Sequence, residues 1–298
     1  MIDQAQALRN LVRSRMKQEV SQSQHEEPRS AKFITVSSGK GGVGKSNFTL
    51  NFALTLQSLG KKVLIFDADI GMANIDVLMG VSSPYNLYHL ISRERTIQEI
   101  ISTGPNGISY IPGGSGVSEL LSMSDQDIQY FMSQIEQLAS KVDYILFDTG
   151  AGISKENMRF IASADECLLV TTPEPTSITD AYALMKVVHG EGCRVPFRLI
   201  VNRAGDEQEA AQTANKINLA ARRFLDIQVP LLGYIADDSH VVKAVKRQTP
   251  FTIAFPNCPA ARDVKRMAQR YMLDSPAAEP GTLTGIKGFM QKWLLRTK

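Results

Sequence analysis

The sequence predicts an α/β protein built on a doubly wound, mainly parallel sheet, and this rests on three features. A glycine-rich loop, Ser38-Gly39-Lys40-Gly41-Gly42-Val43-Gly44-Lys45-Ser46, joins the apolar, β-branched run Phe33-Ile34-Thr35-Val36 to the helical pattern Leu50, Ala53, Leu54, Leu56. Two more apolar runs, Val63 to Phe66 and Tyr144 to Phe147, each end in an aspartate, Asp67 and Asp148. Beyond them short apolar strands keep alternating with helical patterns, which requires parallel pairing and right-handed crossovers.

The first 30 residues differ in texture from the rest of the chain. Ile2, Ala5, Leu8, Val12 and Met16 recur at helical spacing, and residues 21–30 form a polar linker containing Pro28. The helix either packs on its own domain or is a tethered element that docks on a partner. The glycine loop then fits G-x-x-x-x-G-K-[ST], in which backbone N–H groups turn inward around phosphate oxygens at a helix start. Gly39, Gly41, Gly42, Val43 and Gly44 would form the cradle, with Asn47 following it. Lys45 would reach the β- and γ-phosphates, and the Ser46 hydroxyl would be a Mg²⁺ ligand. Lys40 is additional to that pattern. A second cation so close to Lys45 needs an anion beside it.

Val63 to Asp67 reads as a buried strand that delivers acids at its C-terminal edge, where open α/β sheets bind ligands. In Asp67 to Asp76, Asp67 could act on the Mg²⁺ shell and Asp69 could orient or deprotonate an attacking water. Residues 81–104 suggest short helices, Ile108 to Ile111 a strand, and Met123 to Leu138 a helix. Pro112 to Gly116 lacks a Lys-Ser/Thr ending and is a connector. Asp143 to Gly152 is an apolar strand ending in an acid, the Walker B arrangement, in which Asp148 would hold Mg²⁺ through water. Cys167 to Thr172 and Phe197 to Asn202 are further strands. Asn202-Arg203 at the tip of the latter is placed to meet the base, since a side-chain amide can pair with adenine. GTPases read guanine with N-K-x-D, whereas Asn202-Arg203-Ala204-Gly205 has glycine in place of the aspartate. ATP is therefore favoured. A strand over 229–235 and a helix over 259–272 close the domain.

After a linker from Ser275 to Gly285, Ile286, Phe289, Met290, Trp293 and Leu294 fall at i, i+3, i+4, i+7 and i+8, flanked by Lys287, Lys292, Arg296 and Lys298. This pattern reads as a helix lying on an anionic membrane surface; the competing reading is a terminal helix that covers the core. The domains expected are 1–30, 31–274 and 275–298.

Composition bounds the class. At 298 residues, 43% of them hydrophobic and 21% charged, the chain can bury a large core. Of the net charge of +3, the terminal helix holds +4 and residues 1–30 hold +1, which leaves −2 on the body and disfavours nucleic acid as a partner. Cys167, Cys193 and Cys258 are widely spaced with no C-x-x-C pair, indicating neither a disulfide framework nor a zinc site. No apolar signal region or spanning segment is visible, so the expectation is a cytoplasmic chain with peripheral membrane attachment.

The segment Lys40 to Ser46, KGGVGKS, resembles the deviant P-loop of the MinD/ParA ATPases. With Asp67 to Asp76, Asp148 to Gly152 and the basic amphipathic C-terminus, the chain resembles MinD over about residues 32–298. Asp3-Gln4-Ala5-x-x-Leu8-Arg9 is similar to the activating segment of FlhG, the MinD-like branch that controls flagellar number and placement. The resemblance implies a P-loop NTPase of the SIMIBI type and a slow, switch-like ATP hydrolase. It further implies exchange between an ADP-bound or apo monomer and an ATP-bound, membrane-associated homodimer. It puts dimer-spanning contact on Lys40, hydrolysis on Asp69, Mg²⁺ on Ser46 and Asp148, and adenine near Asn202. Asp165 matches a surface acid near a partner site. The partners implied are the GTPase FlhF, through Gln4, Leu8 and Arg9, and flagellar C-ring proteins of the FliM, FliN or FliY type. A division-site MinD-type ATPase is the alternative. A ParA-type DNA segregation ATPase would need a basic patch on the dimer, and an iron-sulfur electron carrier would need cysteines flanking the nucleotide.

Overall fold

The computed structural model describes residues 31–69, 74–114, 125–274 and 285–295. Gln4, Leu8 and Arg9, the linker over 275–284 and the loop over 70–73 lie outside the described residues, as does the side chain of Leu294. The strands are β1 (Lys32–Ser38), β2 (Val63–Ala68), β3 (Ser102–Thr103), β4 (Ser109–Ile111), β5 (Tyr144–Ala151), β6 (Glu166–Thr171), β7 (Phe197–Ala204) and β8 (Leu231–Ala236). They form one sheet in the order β3-β4-β2-β5-β1-β6-β7-β8. Every pairing is parallel except that of the two-residue β3 with β4. The sheet is thus mainly parallel, as the sequence predicts, and departs from it at one edge, where the return from β3 to β4 is too short for a crossover and antiparallel pairing is the geometry available.

The helices are α1 (Lys45–Ser58), α2 (Ile75–Met79), α3 (Leu87–Ile91), α4 (Ile97–Ile100), α5 (Asp125–Ala139), α6 (Lys155–Ser163), α7 (Pro175–Gly190), α8 (Glu207–Leu225), α9 (Ser239–Lys246), α10 (Phe251–Ala254), α11 (Pro259–Leu273) and α12 (Gly285–Leu295). Alternate strand residues face opposite layers, so each central strand feeds two cores. Ile34 and Val36 of β1, Val63 and Ile65 of β2 and Leu146 of β5 pack with α1 and α11. Phe33, Leu64, Phe66, Ile145 and Phe147 pack on the other side with α5 and α6. Consecutive strands enter from one edge and deliver their C-terminal ends to the other, which gathers the glycine loop, Asp67, Asp148 and Asn202.

The terminal helix packs on the domain. The face expected to lie on a membrane is turned inward: Ile286, Phe289 and Trp293 are buried, and Met290 packs against the same core. Phe289 stacks on Phe33 at 4.8 Å and on Phe147 at 5.2 Å, and Trp293 meets Phe160 at 5.0 Å. An aromatic patch on β1, β5 and α6 satisfies the amphipathic face within the chain, the alternative that periodicity left open. Among the described residues no helix is long and apolar enough to cross a membrane.

Asp165 is corrected with it. Instead of standing free on the surface, its carboxylate accepts from Phe33 N at 2.9 Å and from Gly285 N at 3.3 Å, tying the start of β1 to the start of α12. Lys292 Nζ, from the same helix, donates to Ala164 O at 3.1 Å. Burial raises the Asp165 carboxyl above its ordinary value, and these N–H groups and lysines offset part of that.

Candidate nucleotide site

The glycine loop needs its glycines for two distinct reasons. Gly44 is left-handed at φ 91°, and a Cβ there would collide with the Asn202 amide. At Gly39 a Cβ would strike the backbone of Asp180 in α7. The loop is thus clamped between β7 and α7. Asn202 Nδ2 donates to Val43 O at 2.7 Å, so this residue positions the loop. Arg203 follows it exposed and left-handed, at φ 56°.

Inside the loop the Lys45 ammonium sits 2.9 Å from Asp148 Oδ1, and both side chains are almost wholly buried. The same oxygen accepts from Thr49 Oγ1 at 2.9 Å, one helical turn beyond Lys45. Asp148 Oδ2 is buried and has no hydrogen-bond partner among the described residues. Directly across the β2–β5 pairing stands Asp67. Its carboxylate accepts from the N–H groups of Asp69 at 3.2 Å, Asn74 at 3.1 Å and Ile75 at 3.3 Å. Burial and then the neighbouring Asp148 push the Asp67 carboxyl up to about 7. Two buried acids with one lysine between them leave negative charge short of a cation. The oxygen donors present, Ser46 Oγ, Asp148 and Asp67, suit a hard divalent ion, and the unpartnered Asp148 oxygen is the observation that fits one.

Asp69 faces the end of β5, where the strand runs into a loop, its Oδ1 lying 3.5 Å from where a Cβ on Gly150 would sit. That loop is held by Asn157, whose Nδ2 donates to Gly150 O and Gly152 O at 3.0 Å each, and by Gly152 N donating to Ser38 O at 2.9 Å. Ser46 and Asn47 open α1, and Asn51 fixes Asn47 by donating to its Oδ1 at 2.9 Å.

Lys40 has an anion within its own chain. Its Nζ lies 3.0 Å from Glu174 Oε2 and 2.9 Å from Thr176 Oγ1, at the start of α7. In this structure Glu174, distant in sequence, is the anion that the charge pattern called for. The pair is solvent-exposed and worth about 0–1 kcal/mol, so a stronger anion can replace it.

Sequence reasoning therefore found the loop, Asp67, Asp69, Asp148 and Asn202, and the structure brings them to one edge. It missed Thr49, Asn157 and Glu174. Thr49 had a signal, since i+4 from Lys45 places it on the same helical face; Asn157 and Glu174 act through folding that no local pattern encodes.

Loop, helix start and paired acids define a phosphate-binding site of the P-loop NTPase class. A family model described as ParA, NUBPL iron-transfer P-loop NTPase, matches residues 29–272. The chain is 36% identical over 237 residues to the antiactivator FleN of Pseudomonas aeruginosa, covering 80% of this chain and 85% of that one. It is 35% identical over 269 residues to the flagellum site-determining protein YlxH of Helicobacter pylori, covering 88% and 90%. Among solved structures, the septum site-determining protein MinD of Pyrococcus horikoshii complexed with Mg-ADP superposes with TM-score 0.65 at 27% identity, covering 82% and 96%. The chain belongs to the ParA/MinD family of P-loop NTPases and, within it, to the FlhG-type members that FleN and YlxH represent.

Proposed function

We propose that this protein is an ATP-driven switch of the FlhG type that hydrolyses ATP slowly and regulates flagellar number and placement. The observation that carries the reading is the buried Lys45–Asp148–Thr49 cluster with its spare carboxylate oxygen beside Asp67. Ser46 and Asp148, with Asp67 behind them, would hold Mg²⁺, which supplies charge neutralisation at the phosphates. The glycine loop's N–H groups and Lys45 bind and orient the phosphate chain. Asp69 positions the attacking water or holds its proton, against a loop fixed by Asn157. Asn202 and Arg203 face the base, and the missing aspartate after them favours adenine.

In this reading ATP gathers two copies, with Lys40 exchanging Glu174 for the partner's phosphates, and the dimer attaches through its terminal helices to an anionic membrane. The N-terminal segment with Gln4, Leu8 and Arg9 engages the GTPase FlhF, and flagellar C-ring proteins are further clients. A relative named as a flagellum site-determining protein supports this choice of process. Isothermal titration with Mg-ATP, Mg-ADP and Mg-GTP, together with phosphate release, tests it. Lys45→Ala should abolish nucleotide binding, and Asp148→Asn should remove its Mg²⁺ dependence. Equal affinity for GTP, or Mg²⁺-dependent binding surviving Asp148→Asn, overturns the assignment.

A further inference from the structure

We propose that the sheet edge opposite the nucleotide carries a pocket for the headgroup of an anionic, hydroxyl-bearing phospholipid such as phosphatidylglycerol, rimmed by Lys61, Lys62 and Lys141. The proposal rests on the membrane reading above and adds a second contact to it. A cavity of about 380 Å³ opens between α1, β2, β4 and α5, and these three lysines stand on it with Gln57 and Ser109. Lys61 and Lys62 lie in the turn before β2, and Lys141 in the turn before β5. None of their ammonium groups has an ion-pair partner among the described residues, whereas Lys32, Lys40 and Lys45 each do. The nearby Asp143 carboxylate accepts from the Lys62 backbone N–H at 2.7 Å and offsets part of this charge. The excess positive charge around one concavity still favours entry of an anion.

Gln57 supplies the second observation. Its Nε2 donates to Asn106 O at 3.0 Å, while its Oε1 is buried with no donor among the described residues. A buried acceptor left unpaired is costly, and a ligand that brings a hydroxyl removes the cost. The site therefore asks for anionic oxygens and a hydroxyl donor on one small group, which a phosphoglycerol headgroup provides.

Position argues for lipid over a free metabolite. Both tails leave the domain at this edge: Ala31 precedes β1, α11 ends at Asp274 beside Arg198 near the start of β7, and Gly285 begins α12 against Asp165. With strands about 4.8 Å apart, β2 and the gap between β1 and β6 are about 12 Å from each other, within one footprint. A helix released from this edge and a headgroup held in the cavity would engage the same surface.

The test uses the full chain and two probes: monomeric short-chain phosphatidylglycerol, read by titration, and vesicles of phosphatidylglycerol with phosphatidylcholine, read by co-sedimentation in Mg-ATP. Lys62→Ala with Lys141→Ala, both exposed positions, should weaken short-chain lipid binding about thirtyfold, two lysines' contribution. Gln57→Leu should erase the preference for phosphatidylglycerol over phosphatidic acid. Binding to the short-chain lipid that is unchanged in the double variant, or absent from the wild type, overturns the pocket even if vesicles are bound. Glycerol phosphate binding as tightly as the lipid overturns the lipid assignment. Wild-type protein that ignores vesicles in ATP sinks the membrane reading instead, while the short-chain titration still judges the pocket.

Discussion

Phe289→Ala examines the terminal helix directly. Phe289 is 1% exposed and stacks on both Phe33 and Phe147, which lie 6.1 Å from each other, so truncating it removes one corner of an aromatic cluster on β1 and β5. A buried Phe→Ala change costs about 3–5 kcal/mol. At about 2–4 °C per kcal/mol for a domain of this size, the melting temperature should fall by roughly 6–20 °C. That loss has a ceiling, the docking free energy of α12, because the helix detaches once holding it costs more than freeing it. Trp293 reports which of the two happens, being the single tryptophan of the chain and 1% exposed against Phe160. Wild-type protein without ATP should show a blue-shifted emission protected from acrylamide. The variant should show either the full thermal loss with emission retained, or a smaller loss with a red-shifted, quenchable tryptophan and stronger vesicle binding in ADP. Unchanged melting temperature together with unchanged emission would refute the packing of α12 on the Phe33–Phe147–Phe160 surface.

Three further outcomes are expected. Glu174→Gln should lower the ATP concentration needed for dimerisation, seen by light scattering, because it frees Lys40 from its partner in the same chain; Lys40→Ala should bind nucleotide yet stay monomeric, and normal dimerisation of that variant would sink the trans role. Asp69→Ala should retain ATP affinity, lose phosphate release by about 10²–10⁴-fold and accumulate the dimer, with unaltered turnover counting against its role. For Asp165 the sign follows from its raised carboxyl: the folded chain holds this proton more tightly than the unfolded one, so its contribution is fully present below the ordinary carboxylate value of 3.8 and is lost as pH rises through the higher folded value. Denaturant midpoints across that range should therefore decline less with pH in Asp165→Asn than in wild type, and parallel profiles would remove Asp165 from the account.

Much of this protein was legible in its sequence because the informative signals are local. A β-branched run, a glycine loop and a helix in direct succession specify both the phosphate cradle and the direction of the first strand. Apolar runs ending in Asp67 and Asp148 then place acids at the same edge, since parallel strands all deliver their C-terminal ends to one side. What escaped depends on pairings between distant segments. Periodicity established that Ile286, Phe289 and Trp293 share one face that must be covered, but the cover, Phe33, Phe147 and Phe160, comes from two strands and a helix brought together only by folding. Charge pattern established that Lys40 needs an anion, and tertiary structure chose Glu174, 134 residues away. Asp165 reads as an ordinary surface acid until β1 and α12 arrive beside it with their N–H groups. The sequence by itself thus determined which groups gather at the candidate nucleotide site, because their spacing along the chain sets their spacing in the loop and at the strand ends. Tertiary structure decided which surfaces remain open, because burial is a property of what packs against a residue.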